Sequence, residues 1–138
     1  MNKNQKLSKE ILEKHNINTS YYRIVILEQI IKSKKCLKID EIYKTLYDTT
    51  STISKATLYN NLMIFEKHNI LNKIIFNQDE IYYCLNDGNI YLYFKCEICN
   101  NIYKFPIDLQ CFNSINKEGN QINSYNIASY GICKKCLK

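Results

Sequence analysis

Seven cysteines stand in this sequence: Cys36, Cys84, Cys96, Cys99, Cys111, Cys133 and Cys136. Four of them form two identically spaced pairs, Cys96-Glu-Ile-Cys99 and Cys133-Lys-Lys-Cys136, with 33 residues between. A Cys-x-x-Cys turn brings two sulfurs to one side of a knuckle, and two knuckles supply the four thiolates of a tetrahedral zinc site. Four sulfur ligands leave no open coordination position. The expected ion is therefore structural, one zinc per chain, and not catalytic. The competing use of the pairs is redox chemistry or plain burial as thiols. An odd cysteine count with no apolar leader speaks against an extracellular disulfide framework. Cys36, Cys84 and Cys111 stand apart and read as small buried hydrophobes, with thiol sensing or thiolate metal binding as the alternative.

The rest of the inventory excludes chemistry. There are only two histidines, His15 and His68, and neither lies at a catalytic spacing from a cysteine or serine. No Gly-rich phosphate loop is present, so an enzyme is not expected. The 138 residues are 46% hydrophobic and 23% charged, which suits a packed core. No apolar run approaches the roughly 20 residues that span a bilayer, so the protein is expected to be soluble and cytoplasmic. The net charge is +6, with 13 basic against 9 acidic residues up to Leu85 and 6 against 4 beyond it. Such an excess permits a polyanionic partner without requiring one.

The elements that must position these residues follow from periodicity. Leu7, Ile11, Leu12 and His15 predict a short amphipathic helix over 5–16. Ser20 caps a second helix with the stripe Ile24, Leu27, Ile30 and Ile31, ending in Lys32-Ser-Lys-Lys35. A third starts near Asp40 with Ile42, Tyr43, Leu46 and Tyr47. Ser54 caps a fourth, 55–68, which turns Leu58, Leu62 and Phe65 inward and Lys55, Thr57, Asn60 and Asn61 outward. The period then changes to that of strands: Lys73–Phe76 and Ile81–Leu85 form a hairpin across Asn77–Glu80. Helices followed by a hairpin are the order of a winged helix, whose last helix enters the major groove. The expected class is α+β, with a winged helix-turn-helix domain over 1–85, a hinge over 86–89 and a small α/β dimerisation domain over 90–138. That last part has strands at 90–95, 102–105 and 122–130, and a helix over 107–118. About 50 residues make a thin core, so zinc and dimerisation are its expected supports.

Ser54-Lys-Ala-Thr-Leu-Tyr59, the winged-helix order, the hinge and the two knuckles together resemble the ferric uptake regulator family, from about Ser20 to Cys136. Arg23-Ile-Val-Ile-Leu27 and Asp40-Glu-Ile-Tyr43 match it as well. The resemblance implies a homodimeric DNA-binding transcriptional repressor with a four-cysteine structural zinc and a separate regulatory metal. It places Tyr59 and Asn60 at the bases or sugar–phosphate backbone of double-stranded operator DNA, and the outer face of the same helix adds Lys55 and Thr57, with Ser54 a helix cap, a phosphate contact or both. Asn60 stands where the family usually has arginine; it can pair with adenine but brings no charge to phosphate. The residues the family uses to bind its regulatory metal are replaced. Tyr91 and Tyr93 stand for two histidines, Lys104 for an acidic ligand, Cys36 for a histidine and Cys84 for another acid. A further family metal site is replaced by Ile90, Leu92, Cys111 and Tyr125. A lysine ammonium repels a divalent ion, so an iron or manganese sensor of the usual kind is not expected. Lys104 either supplies a positive charge where relatives need a cation or snorkels into solvent. The alternative to operator binding is a zinc-stabilised module that binds protein or RNA.

Overall fold

Asn2 opens the first helix with a reciprocal cap, its side chain accepting from the Gln5 N–H while the Gln5 side chain accepts from the Asn2 N–H. In the computed structural model of the chain this helix, α1, runs Lys3–Lys14. The structure describes the backbone of all 138 residues and every side chain except those of Leu109 and Cys111. Ser20 caps α2, Tyr21–Ser33, through the N–H of Arg23. Lys34 ends it in a left-handed conformation, φ +56°. A two-residue strand, β1 (Leu37–Lys38), precedes α3 (Ile39–Thr50). The helix α4, Lys55–Lys67, leads into β2 (Leu71–Asn77) and β3 (Glu80–Leu85), joined by a turn in which the Asn77 side chain accepts from the Asp79 N–H. The sheet order is β1-β3-β2. Helices followed by this sheet are the winged-helix arrangement expected.

Ile26, Leu27, Ile42, Leu46, Leu58, Leu62 and Phe65 have no exposed surface and form one cluster with Leu12 and Ile30. Most of the predicted stripes turn inward, but Leu7 and Tyr47 are exposed, and Val25 and Ile26, outside the stripe predicted for α2, are buried. Burial of several such side chains, at about 1.5–3 kcal/mol each, holds the four helices together.

In the later part of the chain β4 (Tyr91–Cys96) is central, antiparallel to β5 (Ile102–Pro106) and parallel to β6 (Ala128–Gly131). The helix expected over 107–118 is instead a 3-10 turn, Leu109–Phe112, capped by Asp108, followed by the five-residue α5, Asn113–Lys117. The strand expected over 122–130 begins only at Ala128. Upstream of it, the Asn126 side chain bonds the Ile75 backbone twice, accepting from its N–H at 2.9 Å and donating to its carbonyl at 3.3 Å. A side-chain amide that mimics a ladder partner competes with strand continuation.

The same pair of bonds bears on the domain boundary. The chain divides into Met1–Lys73 with Glu80–Asn86, and Ile74–Asp79 with Asp87–Lys138. The hairpin tip thus groups with the later residues, where a division by sequence alone leaves it in 1–85. The second unit buries few side chains among those described, chiefly Ile74, Phe76, Tyr93, Lys95, Cys96 and Cys133. No described helix is long and apolar enough to cross a membrane.

Candidate metal centre and nucleic-acid interface

The end of β4 and the loop after it build the first knuckle. Cys96 carries the last ladder position, its carbonyl accepts from the Asn100 N–H, and Asn100 takes the left-handed φ of +62° that the tight turn demands. Beyond β6 the second knuckle closes through N–H groups of Cys136 and Leu137 on the Cys133 carbonyl. Gly131 links the two, because its carbonyl accepts from the Glu97 N–H at 2.8 Å. Sheet register therefore sets the spacing of the knuckles.

The Sγ atoms of Cys96, Cys99, Cys133 and Cys136 all lie within 4.8 Å of one another, and those of Cys99 and Cys133 are 3.8 Å apart. Four thiolates about 2.3 Å from a central zinc require sulfurs about 3.8 Å apart, so this donor set fits the ion. The backbone is arranged for thiolate. The Cys99 N–H points at Cys96 Sγ and, against the effect of burial and with help from the Cys133 N–H, draws that thiol down to about 6. Cys133 is lowered too, first by the Tyr103 hydroxyl and then by the Cys136 N–H. Cys136 moves the other way, to about 12, because its S–H donates to Cys133 and because it is desolvated. Cys96 and Cys133 are thus drawn toward thiolate while Cys136 beside them holds its proton. A divalent ion removes that conflict.

The first turn of α4 is tied to its own cap. Ser54 Oγ accepts from the Thr57 N–H at 3.1 Å and donates to Thr57 Oγ1 at 2.9 Å. Lys55 is exposed; its Nζ lies 3.5 Å from Asp40 Oδ1 and 5.4 Å from the centre of the Tyr43 ring. Tyr59 is 45% exposed, and Asn60 is exposed beside it. Asn61, expected on the same outer face, is instead half-buried. It accepts from Arg23 Nε at 3.0 Å and donates to the Thr57 carbonyl. Arg23 also donates to the Asn18 carbonyl at 2.7 Å, and Tyr22 meets Thr52 at 2.7 Å. These ties lock α2 against α4 and the segment before it. Neither the family match of Arg23 nor the helix start at Asp40 points to these contacts, because nothing local signals a partner 38 or 15 residues away.

The positions read as replaced sensor ligands form a small network of their own. Tyr91 donates to Asp87 Oδ2 at 2.5 Å, and Asn89 donates to Tyr91 at 3.5 Å. Lys104 is exposed with Nζ 4.7 Å from the centre of the Tyr91 ring, a cation–π contact. Lys104 therefore faces solvent while its ammonium stays at the Tyr91 ring and near Asp87. Burial works against ionisation of Asp87, yet the Tyr91 hydroxyl, the Asn89 N–H and Lys104 hold its carboxyl below the usual value. Tyr93 is buried and stacks edge-on with Tyr91 at 6.0 Å. Cys36 and Cys84, read as separate small hydrophobes, are joined in a disulfide. Cys84 is buried, and its proximity to Cys36 across the sheet has no signal in the sequence. The side chain of Cys111 lies outside the described residues.

Residues 14–130 match the model of the ferric uptake regulator family. The chain is 27% identical over 131 residues to the ferric uptake regulation protein of Bordetella parapertussis, covering 92% of this chain and 94% of that one. It is 28% identical over 130 residues to the peroxide-responsive repressor PerR of Staphylococcus aureus, covering 91% and 86%. Among solved structures, the ferric uptake regulator of Francisella tularensis with iron superposes with a TM-score of 0.70 at 27% identity, covering 88% of this chain and 96% of that one. A zinc uptake regulator complexed with zinc and DNA shares the fold, with a TM-score of 0.76 at 15% identity over 99% and 97%.

Proposed function

We propose that this chain, a transcriptional regulator that belongs to the ferric uptake regulator family and carries a four-cysteine structural zinc site, is a cytoplasmic homodimeric repressor that binds operator DNA without needing a regulatory metal. It is a regulator, not an enzyme. Zinc held by Cys96, Cys99, Cys133 and Cys136 supports the second unit. Dimerisation has material to use there: Phe105, Ile115, Tyr130, Ile132 and Leu137 are exposed in that unit.

DNA binding is carried by the face of α4, which presents Lys55, Tyr59 and Asn60 on a helix rooted by three fully buried side chains. Ser54 and Thr57 close the helix N-terminus, which favours a phosphate. Asn60 suits a bidentate pair with adenine, and Tyr59 suits stacking on sugar or base. Replacing Tyr59 and Asn60 with alanine is expected to weaken specific binding by about 1–3 kcal/mol per base contact and leave dimerisation intact. Lys55→Ala is expected to weaken all duplexes and flatten the salt slope by about one phosphate contact. Fluorescence anisotropy at several salt concentrations, on a duplex selected from a random pool, measures both. Wild-type affinity in both variants would remove α4 as the reading element. Tighter binding to structured RNA than to any selected duplex would favour the RNA-binding module.

Metal independence is supported by the network of Tyr91, Asp87 and Lys104. Where relatives would gather ligands, this chain has an internal carboxylate–hydroxyl bond and an ammonium above the ring. That corner is held by its own charges. Wild-type protein is expected to bind its selected duplex equally in chelator and with added manganese or iron. Lys104→Glu should lose binding or become metal-dependent, since it places a second carboxylate near Asp87. Strong metal activation of the wild type would show a regulatory site built from other residues and overturn the reading.

A further inference from the structure

Cys36 and Cys84 sit opposite each other at the end of the short ladder between β1 and β3. The register pairs Leu37 with Tyr83 and Lys38 with Tyr82, and one more step brings Cys36 to Cys84. Their Cα atoms are 4.5 Å apart, the spacing of the closer, non-hydrogen-bonded pairs in an antiparallel ladder. Without the bridge, β1 is held to β3 by two residue pairs.

The two sulfurs are not equivalent. Cys84 is 4% exposed, whereas Cys36 is only partly covered and lies within the run Lys34-Lys-Cys-Leu-Lys38. Positive charge around a partly accessible cysteine favours its thiolate and makes it the sulfur that exchanges with solution thiols.

What the bridge holds is also specific. Cys36 is followed at once by β1 and by the start of α3, whose Asp40 pairs with Lys55 at the head of α4. Cys84 lies near the end of the wing strand β3. One bond therefore spans the connection that positions α3 and the strand that forms the wing.

We infer that Cys36 and Cys84 are a reversible dithiol–disulfide site, exchanging with small thiols through Cys36, that fixes β1 on the wing when oxidised and loosens it when reduced. The DNA consequence rests on the operator-binding reading above; the redox site does not. In reduction, a small thiolate attacks Cys36 Sγ, the bond to Cys84 breaks, and Cys84 leaves as a thiolate that takes a proton. A second thiol attacks the mixed disulfide, freeing Cys36 as a thiol, and the reductant departs as its own disulfide. Two protein thiols are gained and two small thiols become one disulfide. Oxidation by a small disulfide runs the same steps in reverse.

The test uses the zinc-loaded full chain equilibrated in defined ratios of reduced and oxidised dithiothreitol, quenched in acid and read by thiol alkylation and peptide mass spectrometry. Cys36 and Cys84 should convert together in a single two-electron transition, with Cys36 the site of any trapped mixed disulfide. Amide hydrogen exchange over residues 36–40 and 82–85 should be faster in the reduced form. The Cys36→Ser/Cys84→Ser double variant should match the reduced wild type under both conditions. Affinity for the selected duplex should fall at least about fivefold on reduction in the wild type, and not change in the double variant. Free thiols at both positions across the whole range would overturn the redox site, as would conversion with unchanged exchange at β1. Conversion and altered exchange with unchanged DNA affinity would overturn the coupling to DNA. Absence of DNA binding in either form would instead overturn the operator-binding reading, while alkylation and exchange still decide the redox site.

Discussion

Cys96→Ser is expected to release zinc and unfold or monomerise residues 90–138 while the helical unit stays folded. Cys96 is fully buried, ends the central strand β4, and its sulfur accepts from the N–H groups of Cys99 and Cys133. Serine cannot supply a thiolate there. Binding free energy at a structural zinc is on the order of 10–16 kcal/mol and is largely folding free energy, far above what a unit with so few buried side chains supplies alone. Metal analysis, sedimentation and hydrogen exchange resolved by segment read the three effects. A metal-free Cys96→Ser protein that is dimeric and well protected over β4–β6 would end the structural-zinc assignment.

Acid should act in the same direction. Cys96 is depressed to about 6 in the fold. A thiol lowered below its unfolded value adds stability that is full above the unfolded pKa and lost as pH falls through the folded one. Protons also compete with zinc for every thiolate. Zinc release, followed with a chromogenic chelator, is expected to accelerate as pH falls from neutral into the acid range. The helical unit, which has no such centre, should keep its far-UV signal over that range.

Phe65→Ala is the second large effect. Phe65 is the bulkiest fully buried side chain, at the inner face of α4 against the cluster of Leu58, Leu62, Leu12 and Ile26. Truncating a buried phenylalanine costs about 3–5 kcal/mol in lost transfer energy and cavity formation. Against a total of about 5–15 kcal/mol for a domain, that is enough to unfold a marginal one. Met63, half exposed on the same helix, is the control, and Met63→Ala should stay within about 0.5 kcal/mol. Urea unfolding followed by helical circular dichroism checks both. Equal effects at the two positions would mean that α4 is not rooted by this face. DNA affinity of Phe65→Ala should fall in proportion to the unfolded fraction and recover with a stabilising osmolyte, unlike that of the Tyr59 and Asn60 variants.

Much of this protein was legible one short window at a time. The four zinc cysteines are two local turns of identical spacing, and a tetrahedral ion admits little else. The four helices came from apolar residues recurring on one face, with Ser20 and Ser54 acting as the caps expected of them. The hairpin came from a change of period. Where the local signal was weak, the expectation slipped. The two residues of β1 are too few to show a period, and the helix over 107–118 shrank to one turn and five residues.

The tertiary structure decided every pairing at long separation. Asn61 faces Arg23 across 38 residues, Asn126 ties the Ile75 backbone across 51, and Cys36 meets Cys84 across 48. Each of those side chains has an unremarkable neighbourhood in the sequence. Asparagine could have been a turn or a solvated surface, and an isolated cysteine a small hydrophobe. Caps, knuckles and amphipathic stripes are set by contacts within about four residues, where chain geometry leaves few choices. A hydrogen bond or disulfide between distant residues depends on how whole elements pack, and packing is decided by the summed burial of many side chains, none of which encodes the partner by itself.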